Sequence, residues 1–115
     1  MNIFPLNIKN LNYISKDKKI LKDINLITSE KKITIIAGNN GSGKSTLLKI
    51  LHGIIHHMSG TVNWGEIPVH EVRKKQSMVF QNPILLNRTT FENIMYVAKK
   101  KNIEINKSVD KIIKQ

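Results

Sequence analysis

The chain has 115 residues, no cysteine and a formal net charge of +11. That length allows one domain at most, and the absence of thiols excludes a disulfide framework or a thiolate metal site. No run approaches the roughly 18 apolar residues of a membrane span, and no secretory signal opens the chain, so a soluble cytoplasmic protein is expected.

Nor does the charge point to nucleic acid. Lysine outnumbers arginine 17 to 2, beside 19 isoleucines and 13 asparagines, a bias that an AT-rich coding sequence produces unaided. The few aromatics are not interleaved with the basic residues as a base-stacking platform requires. The run Lys99-Lys100-Lys101 reads as a solvated helix end, and no nucleic-acid partner is expected.

Taken in chain order, Leu6, Ile8 and then Leu11, Tyr13 predict an early strand with one irregularity. Ser15 to Lys18 is turn-like. Ile20, Leu21, Ile24 and Leu26 mark a second extended segment, and Glu30-Lys31-Lys32 is a short turn. Ile33-Thr34-Ile35-Ile36-Ala37 reads as a buried strand. After the glycine-rich stretch 38–43, Ser45 to His52 reads as a helix. Leu47, Leu48 and Leu51 cover one face of it, and Gly53 is its stop. Ser59-Gly60 opens an extended piece, Thr61 to Trp64, closed by Gly65. Val69 to Lys75 is a short helix with Glu71 and Lys75 four apart. Ser77 to Phe80 reads as a second buried strand, ending at Gln81-Asn82-Pro83. Thr89 and Glu92 have capping-box spacing, so a helix is expected from about Thr90 to Lys100. A further helix start is expected within Asn106–Gln115. No internal repeat or low-complexity segment is present.

The stretch Gly38-Asn39-Asn40-Gly41-Ser42-Gly43-Lys44-Ser45 fits the phosphate-loop pattern G-x-x-x-x-G-K-[ST] at every fixed position. Its context is a strand before and a helix after. Glycines let main-chain N–H groups approach phosphate closely, and the positive end of the helix dipole faces the anion. Lys44 adds a full charge near the β- and γ-phosphates. The Ser45 hydroxyl is the expected Mg²⁺ ligand, and Thr46 can donate to a phosphate oxygen.

Four features together resemble the ATP-binding subunit of ABC transporters, over nearly the whole chain. Tyr13 stands where that family has an aromatic that stacks on adenine. Gly38 to Thr46 carries the longer loop form N-G-S-G-K-S-T. Met58-Ser59-Gly60-Thr61-Val62 is similar to the element after the first helix, and Met78-Val79-Phe80-Gln81 to the strand ending in the Q-loop glutamine. The resemblance implies an α/β P-loop NTPase (ABC ATPase) core with an N-terminal antiparallel β portion, incomplete at the C-terminal side. It implies ATP and Mg²⁺ as cofactors, with Tyr13 on adenine and Gln81 on Mg²⁺ or the attacking water. Where the family often has proline, Asn39 stands, at a position pointing away from phosphate. Pro83 to Thr90 would contact the membrane subunit. Ile84, Leu85 and Leu86 need either that partner or a core.

Residues 82–115 hold neither the family's signature loop, its second acidic motif, the catalytic glutamate nor the switch histidine. Glu92 and Glu104 sit in helical patterns with the wrong context for a base. His52, His56, His57 and His70 lie too early for the switch, and His52 with His56 lacks a third metal ligand. No catalytic residue is therefore assigned. Residues 1–115 are expected to be the N-terminal part of a single ATP-binding domain, with weak nucleotide affinity alone and with apolar surface and strand edges exposed. The whole domain would bind MgATP and hydrolyse it as a dimer. It would sit on the cytoplasmic face of the membrane, with a transmembrane permease and, indirectly, an extracytoplasmic solute-binding protein. Residues 51–53, 59–65 and 78–88 are similar to importers of oxyanions such as tungstate, molybdate or phosphate. A non-transport ABC ATPase acting on ribosomes or DNA, an inactive truncated fragment, and a phosphate-loop kinase or GTPase are the alternatives.

Overall fold

Strands β1 (Leu6–Ser15) and β2 (Lys18–Thr28) form an antiparallel hairpin. Lys16 and Asp17 turn it with φ of 47° and 60°, as a two-residue turn of the I′ type requires. Strand β3 (Ser59–Trp64) pairs antiparallel with the other side of β1, giving the order β2-β1-β3. The computed structural model describes residues 3–30, 32–56, 59–67 and 69–101. Met58, His57, Glu104 and the helix start expected at 106–115 lie outside them. The chain divides into two units, Met1–Met78 and Val79–Gln115.

In the first unit, helix α1 (Lys44–Leu51) covers one face of the sheet. Leu47, Ile50 and Leu51 pack with Leu6, Ile8, Leu11, Leu21 and Val62. Ile50 takes the inward place expected of Leu48, which is exposed; residues three and four apart (47, 50, 51) share the buried face. The helix ends at Gly53, φ 75°. There the Gly53 N–H donates to Ile50 O at 2.9 Å and the Ile54 N–H to Lys49 O at 2.8 Å, a Schellman closure. Trp64 of β3 donates its Nε1–H to Leu51 O at 3.0 Å, and Phe4 meets its ring edge-on.

The expected irregularity of β1 is a pair of facing bulges, followed by a third register shift between Tyr13 and Ile14. Ile8 pairs with Leu26, but Leu11 pairs with Ile24 and Tyr13 with Leu21. An extra residue thus enters β1 before Leu11 and another enters β2 before Ile24 is reached from Leu21, so the register is restored at Tyr13. Asn10 and Asp23 carry the bulges at φ of 49° and 47°, a conformation Asn and Asp tolerate better than most residues. Two side-chain amides span both bulges. Asn12 donates Nδ2–H to Asn10 O at 2.8 Å and accepts the Asp23 N–H on Oδ1 at 3.0 Å. Asn25 donates to Asp23 O at 2.9 Å and accepts the Asn10 N–H at 2.9 Å. Main-chain groups that leave the ladder at a bulge are thereby paired. The start of β3 presses on the same point. A Cβ at Gly60 (φ +89°) would overlap the Asn10 carbonyl and lie 2.6 Å from Lys9 O.

Helix α2 (Val69–Val72) and a 3₁₀ turn, Arg73–Lys75, match the short helix expected at 69–75. In the second unit, α3 (Thr90–Lys101) begins at the expected capping box. The Glu92 N–H donates to Thr89 Oγ1 at 3.2 Å, and Glu92 Oε2 accepts the Thr89 N–H at 2.9 Å. The Thr89 N–H, and after it the Thr89 hydroxyl that donates to the same Oε2 at 2.9 Å, hold the Glu92 carboxyl below its ordinary pKa. Asn93 ties down the preceding loop through Leu86 and Arg88.

Two expected strands are not formed. Residues 33–37 and 77–80 are irregular. Ile33 is 95% exposed and Ile35 84%, while Ile36 between them packs on the core. Val79 is 93% exposed. A central parallel strand is apolar on both faces because it is covered on both, and it needs neighbours for its main-chain bonds. Among the described residues no strand pairs with either segment. Ile84, Leu85 and Leu86 are exposed as well, outside any core of the described residues.

Candidate functional site

Segment 33–37 leads into the glycine-rich loop, and the loop leads into α1. The Ser42 N–H donates to Asn39 O at 3.2 Å, closing a tight turn. Gly43 then caps α1 with φ 94° and ψ 5°. Two constraints act on Gly43. Its backbone is left-handed, and a Cβ there would lie 2.9 Å from Leu21 Cδ2 and 3.2 Å from Ile20 Cγ2. The hairpin therefore sets how closely the loop's end can pack.

The first bond returning from α1 to the loop runs from the Leu47 N–H to Gly43 O at 2.8 Å. The N–H groups of Lys44, Ser45 and Thr46 precede it, and helix geometry leaves them without an intrahelical acceptor. No side chain caps them and no acid lies in the first turn. Residues 31–65 contain no Asp or Glu at all, so no carboxylate of this segment offsets the positive end of α1. Lys44 folds its ammonium over the loop, with Nζ 2.7 Å from both Gly38 O and Asn39 O. Residues 38–42 and Ser45 are exposed, and Gly43, Lys44 and Thr46 are half-buried.

This donor set suits a polyphosphate: N–H groups without an intrahelical acceptor, a close glycine backbone and one ammonium on a long side chain. The Ser45 hydroxyl, at the same helix end, is a hard oxygen donor of the kind Mg²⁺ takes. Tyr13 is half-buried against the core. Its cross-strand partner is Leu21, the residue beside Gly43. The first unit thus brings residues 38–46 and Tyr13 towards one end of the hairpin. Gln81 lies in the second unit, on an exposed bend.

Sequence reasoning missed Ile20 and Leu21 as the wall behind Gly43, and Asn12 and Asn25 as the bulge amides. The signal was present for the latter. Asn10-Leu11-Asn12 and Asp23-Ile24-Asn25 each place an amide two residues after a residue tolerant of positive φ.

Residues 21–115 match the ABC transporter family model. A phosphate import ATP-binding protein, PstB, of Mycoplasmoides gallisepticum is 35% identical over 99% of this chain and 39% of its own length. The protein of that name from Bacillus cereus is 34% identical over 93% of this chain and 44% of its own. The chain thus spans about two fifths of these relatives. Among solved structures, cbiO1 of Clostridium perfringens, part of the ABC transporter complex cbiONQ, superposes with a TM-score of 0.71 at 29% identity. That match covers 95% of this chain and 46% of cbiO1. An ABC transporter ATP-binding protein from Pyrococcus furiosus gives a TM-score of 0.78 at 24% identity, covering 91% of this chain and 52% of its own; at that identity it bears on the fold alone.

Proposed function

The chain belongs to the ABC transporter family, and on that premise we propose that it is the nucleotide-binding part of an ATP-binding subunit that powers import of an oxyanion. The observation that carries this reading is the loop. The first three N–H groups of α1 are left without an intrahelical acceptor or a side-chain cap, and the Lys44 ammonium lies against the loop carbonyls of Gly38 and Asn39. Phosphate is the oxyanion named by both relatives; tungstate and molybdate belong to the same chemical class.

MgATP supplies the transferable phosphoryl group and the metal's charge. The loop N–H groups and Lys44 grip the β- and γ-phosphates, Lys44 exchanging two carbonyl contacts for phosphate oxygens. Ser45 would offer its hydroxyl oxygen to Mg²⁺. Tyr13 presents its ring to adenine, for about 1–3 kcal/mol if base stacking on aromatics is the guide. Residues 1–115 offer binding and orientation. Activation of water is a task of the whole domain paired with a second ATP-binding subunit, working on a transmembrane permease that receives its cargo from a solute-binding protein. The subunit sits on the cytoplasmic face of the membrane; no helix among the described residues is long and apolar enough to cross it.

Calorimetric titration with MgATP tests the site. Lys44→Ala removes hydrogen bonds from a charged donor, so affinity should fall about 10- to 150-fold. Unchanged affinity refutes the assignment. Deleting the gene should lower uptake of phosphate, molybdate or tungstate; unaltered uptake of all three refutes the cargo class.

A further inference from the structure

We infer that Asn12 and Asn25 are positioning residues for recognition of the nucleobase, acting through Tyr13. The argument rests on the parity of two strands. On β1, Leu6 and Ile8 face the core, and so do Leu11 and Tyr13. Side chains alternate faces along a strand. Without an extra residue at Asn10, the alternation would carry Asn12 inward and turn Tyr13 out. On β2, Leu26 and Ile24 pack towards the core, and so does Leu21. Without the extra residue at Asp23, Lys22 would take the place of Leu21, and Leu21 would leave Gly43.

With both bulges in place Tyr13 and Leu21 remain cross-strand partners and both turn to the core face, where Leu21 meets Gly43. The four bonds of Asn12 and Asn25 hold both bulges. Each amide ties the carbonyl of the bulge two residues before it to the N–H of the opposite one. The arrangement is reciprocal, so loss of either amide unpairs main-chain groups on both strands. The hydrogen bonds of the two amides run to the two bulges. Their effect on a nucleotide passes through where the Tyr13 ring lies.

This inference rests on the reading of Tyr13 as the adenine contact. It is tested by measuring the affinity of the full 115-residue chain for MgATP and for magnesium tripolyphosphate, which has no base. The variants are Tyr13→Ala, Asn12→Ala, Asn25→Ala and Asn12→Asp. Asn12→Asp keeps the acceptor for the Asp23 N–H but sets a carboxylate oxygen against Asn10 O in place of the donor. It is the variant to rely on where an alanine variant fails to fold. Asn12→Ala and Asn25→Ala should each lose about tenfold in MgATP affinity, with tripolyphosphate binding unchanged. Asn12→Asp should lose a comparable amount, and adding Tyr13→Ala to any of them should bring no loss beyond that of Tyr13→Ala alone. Equal losses for both ligands mean a merely structural role and overturn the inference. An unchanged ratio in folded Asn12→Asp and Asn25→Ala, with a lowered ratio in Tyr13→Ala, overturns this inference alone. An unchanged ratio in Tyr13→Ala overturns the adenine reading and the inference with it.

Discussion

Placing a methyl group at Gly60 should destabilise the first unit well beyond the cost of its backbone conformation. Gly60 has φ +89°, and a left-handed backbone costs a residue with a Cβ about 1–2 kcal/mol. The Cβ would also overlap the Asn10 carbonyl and approach Lys9 O to 2.6 Å. Those are main-chain atoms of the central strand. They cannot swing aside as the end of a side chain can, and overpacking of this kind adds about 1–3 kcal/mol. Gly41→Ala is the control, because it shares the positive φ, +78°, but its Cβ would meet nothing within 4 Å. Urea unfolding can be followed through Trp64, the one tryptophan of the chain, on the same strand as Gly60. With a slope of about 1–3 kcal/mol per molar, the Gly60→Ala midpoint should lie about 1 M below that of Gly41→Ala. Coincident midpoints would refute the claim that β3 is packed against the bulge.

Trp64→Phe keeps an aromatic ring beside Phe4 but removes the donor to Leu51 O. Leaving that carbonyl unpaired should cost about 1–3 kcal/mol and speed amide exchange in the last turn of α1; unaltered exchange would count against the bond. The pH dependence of α3 follows from Glu92. Its folded pKa is lowered, so the stabilisation is fully present above the unfolded value, about 4.3, and is lost as pH falls through the lower folded value. Circular dichroism should therefore show helix loss on acidification below about pH 4, and Glu92→Gln, which keeps an acceptor without titrating, should blunt it. An identical acid profile in both proteins would remove Glu92 as the cause.

What could be read from residues alone was what short-range chemistry decides. The glycine-rich stretch is a local motif, and the helix after it starts within one residue of the expected place. Thr89 and Glu92 satisfy each other across three residues, so their box needs no tertiary context. The step from Leu6 and Ile8 to Leu11 and Tyr13 betrayed a bulge because only an inserted residue keeps all four on one face. The failures share a cause. Ile33 to Ala37 and Ser77 to Phe80 have the apolar composition of covered strands, but composition states what a segment requires and not whether its neighbours are present. Leu48 and Ile50 were interchangeable by spacing until the sheet decided which lay beneath. Asn12 and Asn25 look like ordinary polar strand residues until both strands are laid side by side.

Helix α1 is fastened at both ends to the same hairpin sheet. At its front, Leu21 and Ile20 abut Gly43; at its rear, the indole of Trp64 holds Leu51 O. A rod clamped at two points cannot pivot about either one. A load placed on the leading amides of α1 is therefore shared with the sheet at both ends of the helix.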